Sequence, residues 1–64
     1  MDKTNLTSVK ILKELYKQFK LVTVNTKMSL QKVTNRSLFL YIHDEKFKQQ
    51  IESTDALFIS GSNF

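Results

Sequence analysis

Leu6-Thr7-Ser8-Val9-Lys10-Ile11 alternates strictly. On an extended backbone, Thr7, Val9 and Ile11 share one side and Leu6, Ser8 and Lys10 the other. β-Branched residues on the apolar side give the pattern of a half-buried strand. No comparable strand precedes residue 56. A lone strand leaves its backbone donors and acceptors unpaired. The simplest completion is the same segment of a second chain, paired antiparallel about a two-fold axis. Thr7, Val9 and Ile11 would then form the core of the ribbon, with Ser8 and Lys10 of both chains facing outward.

Working outward, the period changes at Leu12. Leu12, Leu15, Tyr16, Phe19 and Val22 recur at three- and four-residue steps, which predicts an amphipathic helix with Lys13, Lys17 and Lys20 on its other side. The stripe weakens at Thr23-Val24-Asn25-Thr26, where the β-branched residues and an Asn tolerant of the left-handed conformation mark an ending. Ser29 is an N-cap residue, and Leu30, Val33, Ser37, Leu38 and Tyr41 trace a second helix. A capping box would need Glu or Gln where Lys32 stands, so the box is absent. Phe39 to Ile42 add more apolar surface than one stripe needs, which predicts burial on several sides. After His43, a helix-end residue, Asp44 can cap a short third helix from Glu45 to about Ser53; one continuous helix over 30–53 is the alternative. The organisation expected is a flexible 1–4, a domain over 5–53, and a segment 54–64 that is either a tail or a short strand or docking piece.

With 64 residues this is one small domain. Such a domain buries only about 60% of its unfolded surface and needs a supplement. There is no Cys and one His, so disulfides, thiolate metal sites and histidine-rich metal sites are excluded, and no cofactor is expected. Oligomerisation remains. Nothing approaches the about 20 apolar residues of a membrane span, and no signal peptide is evident, so a cytoplasmic protein is the default. The net charge of +4 is one-sided: residues 1–27 carry six lysines against Asp2 and Glu14, whereas charges over 28–64 cancel. A basic patch of this kind suits a polyanion, nucleic acid first and anionic membrane second; a merely solvated surface is the bland reading.

Strand, helix, turn and helix within about forty residues resembles the ribbon-helix-helix family of DNA-binding proteins. The likeness is carried by Ser8-Val9-Lys10-Ile11, by Leu15-Tyr16-Lys17-Gln18-Phe19-Lys20, by Met28-Ser29-Leu30-Gln31-Lys32-Val33 and by Asn35 to Ile42. It covers about residues 5–43. One position departs from the family pattern: Lys27 stands where Gly often precedes the cap, with Asn25 nearby. The resemblance implies a mainly α fold with one short strand, an intertwined homodimer with a two-stranded intermolecular ribbon, and insertion of that ribbon into the major groove. It implies base contacts from Leu6, Ser8 and Lys10, and a phosphate held by Ser29 and the backbone N–H of Leu30.

The groove, about 12 Å wide, admits such a ribbon; Lys10 can donate to guanine, and Ser8 can donate or accept. Lys3, Lys13, Lys27, Lys32 and Arg36 are candidates for sequence-independent phosphate contacts. So few base contacts per dimer imply several dimers side by side on a site. The implied role is a small repressor or regulator of a plasmid or phage. An antitoxin, with 54–64 as a short toxin-binding piece, and a DNA-segregation or transfer factor are alternatives. A different class, a basic amphipathic module on a membrane surface or in a protein groove, is also compatible with Lys10 to Val22. Catalysis is disfavoured: there is no Gly-rich phosphate loop, and the acids cluster only at Asp44-Glu45.

Overall fold

The computed structural model describes residues 3–59 and 62–64. Residues 1 and 2 of the expected flexible N-terminus lie outside the described residues. The described elements are α1 (Lys13–Val22), α2 (Leu30–His43), α3 (Glu45–Ser53), β1 (Phe58–Ile59) and β2 (Ser62–Asn63).

Residues 3–12 carry neither helix nor strand, which overturns the ribbon. Alternation alone does not make a strand; a ladder partner must supply the hydrogen bonds. Within this chain the described β pairing joins only β1 to β2, antiparallel, with Phe58 opposite Asn63 and Ile59 opposite Ser62. Thr7, Val9 and Ile11 therefore form no ribbon core, and the intertwined ribbon dimer has no strand to be built on. All residues from 3 to 11 are exposed.

The helices follow their local signals. α1 is made of good helix formers, Lys, Glu, Leu and Gln, but starts at Leu12 without a side-chain cap. It ends at Thr23, the first residue of the stretch where the stripe weakens: Thr23 has φ of −108°, and both its N–H and its Oγ1 donate to the Phe19 carbonyl, at 3.1 and 2.7 Å. Thr26 continues the turn, its N–H and hydroxyl donating to the Thr23 carbonyl and its Oγ1 accepting from the Met28 N–H.

α2 starts where Ser29 predicts, with the Ser29 Oγ accepting from the Lys32 N–H at 3.1 Å. Asp44 both closes α2 and opens α3. Its N–H donates to the Leu40 carbonyl at 2.7 Å, and its Oδ1 accepts from the N–H groups of Lys46 and Phe47 at 3.0 and 3.2 Å. The chain therefore breaks at residue 44, and the continuous helix over 30–53 is not formed. Tyr41 ties the two helices together, its hydroxyl donating to Glu52 Oε2 at 2.6 Å. That bond raises the Tyr41 pKa above 10.0, with desolvation and the nearby charges of Glu52 and Glu45 acting in the same direction.

Close packing between helices is confined to α2 and α3. The half-buried residues of α2 are Val33, Ser37 and Tyr41, one turn apart on one face, and α3 contributes Phe47 and Lys48. No described residue is fully buried. The chain exposes 6417 Å², whereas a compact protein of this mass exposes about 4,200 Å². Its radius of gyration is 13.7 Å, against about 11 Å for a compact chain of this length. Phe39 to Ile42, expected to be buried on several sides, lie mostly open: Phe39, Leu40 and Ile42 are exposed, and only Tyr41 is half-buried.

Candidate nucleic-acid interface

The site begins with the spacing of lysines on α1. Lys13, Lys17 and Lys20 stand four and three residues apart, so a helix stacks them along one side. Leu12 and Phe19, on the other side, are half-buried. The Lys20 ammonium lies 5.6 Å from the centroid of the Tyr16 ring, within cation–π range. Glu14 is the only acid in α1. Of these three cations only Lys13 was singled out from the sequence as a phosphate contact. Lys17 and Lys20 share its side of α1, as the helical period predicts, and that shared side is the signal that groups all three.

Around the turn, the start of α2 adds a second set of donors. Ser29 uses its Oγ as an acceptor for the Lys32 N–H, which leaves its O–H able to donate outward. The N–H groups of Leu30 and Gln31 precede the first intrahelical bond and make no bond among the described residues. Unbonded N–H groups at a helix start favour an anion. The Lys32 ammonium reaches back to the Lys27 carbonyl at 3.0 Å. Lys32, the residue that precludes a capping box, is thus held beside the helix start by the Lys27 carbonyl.

The end of α1 and the start of α2 border a half-open cleft of about 390 Å³, lined by Tyr16, Phe19, Lys20, Met28, Ser29 and Leu30 among others. The structure therefore brings Lys20 of α1 and Ser29 and Leu30 of α2 to one cleft. It does not bring Arg36 there: Arg36 lines a separate open groove with Asn35, Phe39 and Leu40. Leu6, Ser8 and Lys10, the expected base readers, sit on the irregular exposed segment with Lys3, and no ladder fixes which way they face. His43 ends α2 with its ring 4.4 Å from that of Phe39, as befits a helix-end residue. Among the described residues no cluster of acids, His or Cys could hold a metal ion. No described helix is long and apolar enough to cross a membrane.

Comparison of the chain with family models, curated proteins and solved structures returns no match. The resemblance to ribbon-helix-helix proteins stays a likeness of sequence pattern, and it is the helical structure that corrects its ribbon.

Proposed function

We propose that the chain binds double-stranded DNA through the basic surface of its first half. The observation that carries this reading is the confinement of the whole +4 charge to residues 1–27, with Lys13, Lys17 and Lys20 aligned on one side of α1. In this reading those lysines and Lys27 and Lys32 meet phosphates. The start of α2, with Ser29 and the Leu30 N–H, accepts one more. The exposed segment with Leu6, Ser8 and Lys10 supplies whatever contact is made to base edges, ordering as it does so. Of the regulatory, antitoxin and segregation roles, the first requires only DNA and copies of this chain, and it is the one proposed; it implies a cytoplasmic protein.

The test is a titration of a labelled duplex of about 20 base pairs at several salt concentrations. Each phosphate neutralised contributes about 0.9 to the slope of log affinity against log salt. Replacing Lys13, Lys17 and Lys20 by Ala is expected to lower that slope by roughly 2 to 3. An unchanged slope overturns the role of α1. A second reading has its own observation: Leu21, beside the lysines, and Val22, on the apolar side opposite them, are both largely exposed, as in helices that lie on anionic lipid. Vesicles containing anionic lipid, assayed at the same salt, separate the two, because tighter binding to vesicles than to duplex overturns the DNA reading.

A further inference from the structure

We propose that the outward side of α2 is a two-fold interface on which α2 of a second copy of the chain packs antiparallel. Three residues define it. Leu38, Phe39 and Ile42 are 59, 60 and 72% exposed, and they share a side of the helix at three- and four-residue steps. That side is turned away from Val33, Ser37 and Tyr41, and α3 is tied to the Tyr41 side, so among the described residues nothing covers it. Asn35, Arg36, Phe39 and Leu40 shape an open, mostly apolar groove on its flank, with Phe39 common to both.

Area argues for a large partner surface. The 6417 Å² exposed exceeds the compact value by about 2,200 Å². Each partner in a standard interface gives up about 800 Å², and obligate dimers bury more. One second copy seated on α2 can therefore absorb a large part of the excess.

Charge argues for the identity and direction of that partner. α2 has no acid; Lys32 and Arg36 lie in its first half and Lys27 just ahead of it, while Asp44 and Glu45 follow its last residue. A parallel pair would stack the three cations of one copy on those of the other. An antiparallel pair centred between Leu38 and Phe39 sets Asn35 of each copy opposite Ile42 of the other, and brings the Lys32 end of each α2 to the Asp44–Glu45 end of the other. It also opposes the helix dipoles favourably. The surface is thus complementary to itself, as a two-fold contact requires. The interface uses no strand and does not rest on DNA binding.

The experiment is sedimentation equilibrium of the full chain without DNA, from micromolar to millimolar, together with cross-linking. The expected result is a monomer–dimer equilibrium whose dissociation constant rises at least tenfold in Phe39→Ala/Ile42→Ala. Lys32→Glu is expected to weaken the dimer although it completes a capping box with Ser29 and so supports the helix of the single chain; adding Glu45→Lys restores the dimer. The chain has no Cys of its own. A mixture of Asn35→Cys and Ile42→Cys chains should form mixed disulfides, while Asn35→Cys alone should not link to itself. A monomer throughout, an unaffected Phe39→Ala/Ile42→Ala dimer, a failure of Glu45→Lys to restore, or self-linking of Asn35→Cys each overturns the proposal. Because no DNA is present, none of these outcomes bears on the DNA reading.

Discussion

α1 and the α2–α3 pair are held in different ways. α1 begins without a side-chain cap, is joined to α2 by a turn of hydroxyl bonds, and carries its lysines into solvent. α2 and α3 each begin under a side-chain cap, share Asp44 between them, and are tied by Tyr41 and Glu52. At 10 and 9 residues, α1 and α3 are both shorter than an isolated helix that is stable in water, about 12–15 residues. What separates them is the capping of α3. The first half of the chain is built to present charge, and the second half to keep a shape.

The sharpest way to break this division is to ask whether the first half reads sequence. Lys10→Ala should cost about 1–3 kcal/mol at a selected DNA site and less on random duplex. Equal losses on both would make Lys10 a phosphate contact, the role proposed for the α1 lysines. The next effect belongs to the second half. Asp44→Ala removes the acceptor for two N–H groups at once and should cost about 1–2 kcal/mol, at the upper end for a cap. Amide exchange should then accelerate in α3 and leave α1 unchanged; acceleration in both would mean the halves are coupled. Ser29→Ala removes one such bond and should cost about 1 kcal/mol or less, read as lost helicity near the start of α2.

The smallest effect is set by pH. The Tyr41 pKa is raised above 10.0 by its bond to Glu52, so the folded hairpin holds that proton more tightly than the unfolded chain. The contribution is complete below pH 10 and is lost as pH rises through the higher folded value. Tyr41→Phe should abolish that loss at alkaline pH, measured as helicity between α2 and α3; a loss of equal size in Tyr41→Phe would assign it elsewhere.

The same division explains what the amino-acid sequence could tell. Ser29 and Asp44 were legible because a cap acts within three residues of itself, and the helices they start lie where the caps predict. The lysine side of α1 was legible as a period. Its end was legible as the stretch 23–26 but not to the residue, because Thr23 and Asn25 both offer ways to stop a helix, and the back-bond from Thr23 to the Phe19 carbonyl acts first. Leu6 to Ile11 misled for a different reason. Alternation states which side of a strand would be apolar, while the ladder must come from elsewhere, and among the described residues only 58–59 pairs, with 62–63. Phe39 to Ile42 showed the presence of apolar surface but not its occupant, since composition does not reveal what covers a helix. Of the site, Ser29 and Leu30 meet Lys20 at one cleft, whereas Arg36 was grouped with them only by charge.

The chain contains no proline, and its only glycine is at position 61. The corners at residues 23–29 and 44 are therefore drawn by threonine and serine hydroxyls and one carboxylate, with no covalent restraint behind them. If those bonds were outcompeted, residues 13–53 could straighten into a single rod of about 60 Å at 1.5 Å per residue. Fluorinated alcohol, which promotes helix, should lengthen this molecule end to end as well as raise its ellipticity.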